Sequence, residues 1–246
     1  MPHMPRVLRP AFAWWALAAL VAAAAIVTAV DRAPATRAAA ACAGYGYGYG
    51  YGPSQATLTL AMTPRRIKAG RSTTASGALT GANGCTFAGD TVEVQSRAVV
   101  DGVPTGSFKT VATRTTDANG QYSATFRLFH NRQFRAMTAA TQDHTAATSN
   151  TAAVRVSTAI GLSVDRHRKC RVEFSGGTRP SKAHHNVSIR TSSSTLFVTA
   201  TNGRGRYDAT QKLTCGKRYR VHAHISSDST NASGNSGRHS FRPHRH

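Results

Sequence analysis

The chain has 246 residues, with 31 Lys and Arg against 10 Asp and Glu and a formal net charge of +21. That length accommodates two small domains and a targeting segment. The few, dispersed carboxylates argue against a paired acid/base catalytic site, and the surplus positive charge points to polyanions: acidic wall polymers, acidic glycans, nucleic acid or anionic lipid.

Arg6 and Arg9 precede AFAWWALAALVAAAAIVTAV, residues 11–30, an apolar run without a charge. A positive flank before such a run is the pattern of export. The run is long for a signal core and just long enough to span a bilayer. Two outcomes for residues 1–43 are therefore open: a signal peptide cut at small residues between Ala38 and Ala43, or an N-terminal membrane anchor. In both, Arg6 and Arg9 keep the N-terminus inside and the remainder is extracellular, either free or held at the outer face of the membrane. Cys42 follows three alanines, but Ala39 stands where a lipobox carries Leu. Asp31, Arg32 and Arg37 also separate Cys42 from the apolar run, which argues against lipidation.

Residues 44–55 contain GYGYGYGYGPS. Glycine at alternate positions denies a helix and weakens a strand. The segment reads as a flexible linker closed by Pro53, with an adhesive tract for glycans or lipid headgroups as the alternative.

From residue 56 the apolar period is two. Leu58, Leu60 and Met62 alternate, as do Val92 and Val94, then Tyr122, Ala124, Phe126 and Leu128, then Phe134, Ala136 and Thr138. Half-buried strands follow from this alternation. GQYSATFRLFHNRQFRA from Gly120 aligns with GRYDATQKLTCGKRYRV from Gly205 without a gap, pairing Tyr122 with Tyr207, Phe134 with Tyr219 and Arg135 with Arg220. TVEVQS (91–96) aligns with NVSIRT (186–191), and ASG (75–77) with FSG (174–176). This internal duplication predicts two domains of one architecture, 56–157 and a shorter 158–242 that lacks most of the AVVDGVPTGSF excursion. DANG (117–120) and NGRG (202–205) are expected as hairpin turns, and six or seven strands per copy make a β-sandwich.

Leu58-x-Leu60, the KAG and SG steps at 68–70 and 76–77, TVEV, TTDANGQYSATF, FRA and SNTAAVRV resemble bacterial immunoglobulin-like domains. Such domains occur in secreted and surface proteins, notably of high-GC Gram-positive bacteria. TDANGQY is also similar to the carboxypeptidase-regulatory-like sandwich. The resemblance covers most of 56–156 and, more weakly, 158–242. It implies an all-β fold of two tandem Ig-like sandwiches and a non-catalytic role, and it offers no catalytic residue.

In that sandwich frame Cys170 and Cys215 would occupy the second and penultimate strands and face each other across the core, which implies a disulfide. Cys85 then has Cys42 as its remaining partner, or stays a free thiol, or pairs with another chain. No CxxC pair, GxSxG, HExxH, Walker A or dinucleotide-binding glycine pattern occurs, so zinc ribbons, thioredoxin-like chemistry and the common hydrolase and nucleotide sites find no support. His222 and His224 share one face of a strand and are weak metal candidates that lack a third ligand; no metal or other cofactor is expected. The terminal RHSFRPHRH reads as a disordered basic tail, with 243–246 beyond the second domain.

Residues 157–246 carry 16 Lys and Arg against 4 Asp and Glu, whereas 56–156 carry 11 against 5. The second copy is thus the expected polyanion binder, through Arg190, Lys217, Arg218 and Arg220, with the last two on the face of His222 and His224. The expectation is a non-enzymatic extracellular structural or adhesion module at an acidic cell-wall polymer or glycan surface. A secreted polyanion-binding protein, with non-specific nucleic-acid contact, is the alternative, and a metal-binding accessory protein stands third.

Overall fold

Alternating burial governs the chain from Ala56 onward. Gln121–Leu128 buries Tyr122, Ala124 and Leu128, packs the partly buried Phe126 against the same core, and turns Gln121, Ser123, Thr125 and Arg127 to solvent. The same period places Phe134, Ala136 and Thr138 inside, and Tyr219, Val221, Ala223 and Ile225. In the computed structural model, residues 53–245 are described; they fall within one unit, Ala38–His246. The apolar run 11–30, most of the Tyr-Gly segment and Cys42 lie outside the described residues.

The first ten strands are β1 (Ala56–Leu58), β2 (Ala61–Thr63), β3 (Arg66–Lys68), β4 (Arg71–Gly81), β5 (Thr91–Val100), β6 (Val103–Thr115), β7 (Gln121–Leu128), β8 (Arg132–Thr138), β9 (Ala147–Thr148) and β10 (Ala152–Ser157). β1, β4, β2 and β7 form one sheet, and β3-β10-β8-β5-β6, with β9 on β8, form the other. The chain leaves the first sheet after β4, returns for β7 and leaves again for β8. That is the crossing pattern of an Ig-like sandwich. Leu79, Val92, Val94, Phe134 and Val156 are among the residues filling the space between the sheets.

A second sandwich repeats the plan with β11 (Ala159–Ile160), β12 (Ser163–Arg166), β13 (Arg171–Arg179), β14 (Asn186–Arg190), β15 (Thr195–Ala200), β16 (Arg206–Lys212), β17 (Tyr219–Ile225), β18 (Gly234–Asn235) and β19 (His239–Phe241). β11, β12 and β16 flank β13 in one sheet, while β15-β14-β17 with β18 and β19 make the other. Val172, Phe174, Ile189 and Val221 centre a separate core. The fold is all-β: two sandwiches, each with its own hydrophobic interior.

Several sequence expectations are corrected. Segments 117–120 and 202–205 are not hairpin turns, because β6 and β7, like β15 and β16, belong to different sheets. They are corners, closed by Asp117 Oδ1 accepting from Asn119 and Gln121 N–H, and by Asn202 Oδ1 accepting from Arg204 and Arg206 N–H. The gap-free alignment also fails past residue 213. Ala136 N–H donates to Ser149 Oγ at 2.8 Å, and its structural counterpart is Ala223 N–H to Ser236 Oγ at 2.8 Å. The counterpart of Phe134 is thus Val221, and that of Arg135 is His222. The second copy carries two extra residues in the β16–β17 turn, and the sequence alignment hid them because both strands keep the same two-residue alternation. The tail is ordered rather than free: β19 pairs with β17, and the Pro243, His244 and Arg245 carbonyls accept bonds from Gly216, Cys170 and Lys169.

The two sandwiches meet through hydrogen bonds. Asn231, fully buried, donates from Nδ2 to the Phe129 carbonyl at 2.7 Å and the Val156 carbonyl at 3.2 Å. Its Oδ1 accepts from Lys182 Nζ at 2.9 Å. Asp101 N–H and Asn131 N–H donate to the Ser229 and Thr230 carbonyls. Within the second sandwich, Lys182 Nζ also lies 2.6 Å from Asp228 Oδ2, beside this junction.

Candidate anion-binding face

β14 and β17 are neighbours in antiparallel register, with Arg190 opposite His222 and Ser188 opposite His224. Their inward partners Val187, Ile189, Val221, Ala223 and Ile225 anchor both strands in the core. The period of two then forces Arg190, Arg220, His222 and His224 onto the outer face. The strands of this sheet read NVSIR, TLFVTA, YRVHAHI, GN and HSF, without a carboxylate. Three of the second copy's four acids, Asp165, Glu173 and Asp208, stand on the opposite sheet, and Asp228 is held by Lys182 at the junction.

The face therefore holds positive charge without an internal counter-ion. Arg190 Nε is buried and has no hydrogen-bond partner. Partial burial lowers the His222 pKa from the ordinary 6.5, and the charges of Arg238, His224 and Arg190 lower it further. An arriving anion would relieve the mutual repulsion of these charges.

The sequence-derived candidates divide. Arg190 and Arg220 lie on the face, with His222 and His224. Arg218 does not share it: Lys217 and Arg218 precede β17, in the turn after Cys215. The Lys217 ammonium sits 5.5 Å from the centroid of the Tyr219 ring. Arg238, just before β19, is a member that sequence reasoning missed; its only signal was its place in a segment taken for a loose tail. His224 Nδ1 is engaged by Asn235 Oδ1 at 2.9 Å. Among the described residues no group of three or more His, Cys, Asp or Glu is placed to hold a metal ion.

Cys170 and Cys215 are bonded, with Cα atoms 5.3 Å apart. Their location differs from the expectation. Cys170 precedes β13 in the left-handed region (φ 57°), and Cys215 lies in the turn between β16 and β17. The bridge thus clamps two turns at one end of the sandwich and does not cross its middle, because Cys170 stops one residue short of β13 and Cys215 lies four residues before β17. Cys85 is disulfide-bonded as well, so the free-thiol alternative is set aside; its expected partner, Cys42, is outside the described residues.

No family model matches the chain, and no curated protein matches it. Among solved structures it is similar to the tetra-tandem repeat in the extending region of a large adhesion protein, at 16% identity and a TM-score of 0.34, over 78% of this chain and 50% of that one. It is similar to the Yersinia pseudotuberculosis adhesin InvE at 16% identity and a TM-score of 0.34, over 75% and 58% respectively. The D0-D1 domain of intimin gives 16% identity and a TM-score of 0.30, over 78% and 100%. The chain thus spans about half the length of the first two. Likenesses this distant carry nothing about what the chain binds.

Proposed function

We propose that this protein is a non-enzymatic, extracellular adhesion-type module that holds an acidic surface polymer against the outer face of the β14–β17 sheet. The observation that carries this is the carboxylate-free sheet bearing Arg190, Arg220, His222 and His224 on its outer face. Export rests on the Arg6 and Arg9 flank and the apolar run behind it.

The proposal is tested by titrating the exported chain with an acidic polysaccharide and with DNA across a salt series. Affinity for both should fall with salt, as expected for counterion release. Arg190→Gln with Arg238→Gln should weaken binding about tenfold, the scale of roughly 1.4 kcal/mol for two charge-assisted contacts. Because a bound anion favours protonated His222, binding takes up a proton. Affinity should therefore rise as pH falls below 6.5 and lose that dependence in His222→Asn. Unaltered binding by the Arg pair variant would overturn the assignment of this face. Binding of DNA with no binding of the acidic polysaccharide even at low salt would replace the adhesive reading with a nucleic-acid one.

A further inference from the structure

The first sandwich carries a different cationic device on the outer face of β5, β6 and β8. In the β5–β8 register Gln95 faces Arg135 and Arg97 faces Gln133. Arg135 Nε donates to Gln95 Oε1 at 2.9 Å, and Arg97 Nε donates to Gln133 Oε1 at 2.8 Å. Both guanidinium groups also lie over the ring of Phe108 on β6, at 4.2 Å and 4.5 Å from its centroid. The two charges are therefore within about 9 Å of each other.

The neighbouring polar groups fix this arrangement without neutralising it. Glu93 is the one carboxylate on the strands of this sheet. Its Oε2 accepts from Gln95 Nε2 and from Thr110 Oγ1 and makes no ion pair with either arginine among the described residues. Gln133 Nε2 donates to Thr151 Oγ1. Each amide is thus oriented by a second partner so that its carbonyl meets an arginine Nε. Stacking and the Nε bond hold each guanidinium along one edge and one face. The terminal nitrogens of Arg97 and Arg135 have no hydrogen bond or ion pair among the described residues. Those are the donors that grip an oxyanion in a fork.

We propose that Arg97 and Arg135, braced on Phe108, form a two-pronged clamp for neighbouring oxyanions of a linear polymer, either phosphates or carboxylates. Bracing removes much of the side-chain freedom that binding would otherwise have to freeze. A surface of mobile lysines attracts the same polymer, yet it lets go as salt rises. The clamp accordingly supplies a salt-resistant component of binding. It extends the acidic-polymer proposal to a second face built from different residues, so the two can fail separately.

The test uses the exported chain, with long-chain inorganic polyphosphate and polygalacturonate as probes, by calorimetry at low salt and at about 0.3 M NaCl, where open surface charges are screened within several ångströms. Arg97→Lys with Arg135→Lys keeps the net charge and removes the forks. It should lower high-salt affinity for the preferred probe at least tenfold with an unchanged melting temperature. Arg66→Lys with Arg155→Lys, at exposed positions of the same sheet, should change it less than twofold. Phe108→Leu should weaken binding in the same direction by loosening both prongs. Retention of polyphosphate over polygalacturonate at high salt identifies phosphate as the occupant, and the reverse identifies carboxylate. Equal behaviour of the two Lys pairs, or loss of both probes from the unaltered protein at high salt, overturns the clamp. Loss of low-salt binding in the Arg190→Gln and Arg238→Gln variant beside a normal Arg97→Lys and Arg135→Lys variant overturns the clamp and leaves the β14–β17 face standing.

Discussion

Tyr122 and Tyr207 show how much of each sandwich hangs on single atoms. Tyr122 Oη donates to the Thr59 carbonyl at 2.6 Å, and Tyr207 Oη donates to the Gly161 carbonyl at 2.6 Å. Burial raises both phenol pKa values far above the ordinary 10, so both remain neutral donors at any working pH. Gly77 and Gly176 sit opposite the two tyrosines in the strand register. A Cβ on either would overlap the same carbonyl that the phenol reaches and crowd the phenol oxygen itself. Gly77→Ala should therefore destabilise the first sandwich by about 2–4 kcal/mol through forced separation of backbone and ring. Tyr122→Phe should cost about 1 kcal/mol for the lost bond. Denaturant melts of both variants check the order; a milder effect for Gly77→Ala than for Tyr122→Phe would contradict the close approach.

At the scale of elements, the duplicated strands are the same but their connections are not. β5 and β6 form a long hairpin of 10 and 13 residues, and their counterparts β14 and β15 have 5 and 6. The first copy uses that length to carry Phe108 out to Arg97 and Arg135. The second copy varies elsewhere: a two-residue insertion lengthens the β16–β17 turn, in which Cys215 is bonded to Cys170. Closing a loop of sequence separation 45 restricts the unfolded chain by roughly 4 kcal/mol in the chain-entropy account. The second sandwich has the smaller core and depends on that restriction more. Replacing both Cys170 and Cys215 by Ala should lower the melting transition of the second sandwich markedly and leave the first nearly unmoved. A calorimetric scan resolves the two; an equal shift in both would show that the bridge stabilises them jointly.

For the whole molecule, the junction rests on the buried Asn231 and on an ion pair within the second sandwich, Lys182 with Asp228, that shapes the loop carrying Ser229, Thr230 and Asn231. Partial burial by itself would raise the Asp228 carboxyl. The hydrogen bond from Lys182, with those from the Thr230 and Asn231 backbone and the Thr230 hydroxyl, outweighs it and holds the pKa at about 2, below the ordinary 3.8. A depressed folded-state pKa stabilises the ionised form, so the contribution is complete above pH 3.8 and is lost as pH falls toward 2. It is on the order of 2 kcal/mol. Acid titration monitored by small-angle scattering should show the two sandwiches loosening in that interval. Asp228→Asn should be looser at neutral pH and flat through the acid range. An unaltered scattering profile in Asp228→Asn would remove the ion pair from the junction.

The amino-acid sequence alone determined the strands, because a period of two in Leu58, Leu60 and Met62, or in Tyr219, Val221, Ala223 and Ile225, has one inexpensive solution, a half-buried strand. It also determined the duplication and the partner of Cys170, and it placed Arg190, Arg220, His222 and His224 on outward positions. Tertiary structure decided what those positions face. Sequence period cannot tell a hairpin from a corner between sheets, since both need the same Asp or Asn and Gly, so 117–120 and 202–205 were legible as turns and not as crossings. A shift of two residues preserves inward and outward alternation, so the insertion near Cys215 left no trace in the pattern, and alternation alone did not show that Cys170 and Cys215 fall just outside their strands. The meeting of Arg97, Phe108 and Arg135 joins three strands and is encoded by pairing register, which long-range backbone hydrogen bonds set. So too is the segregation of Asp165, Glu173 and Asp208 onto the sheet opposite Arg190: charge along a chain is a count, and only the packing of two sheets turns it into a face.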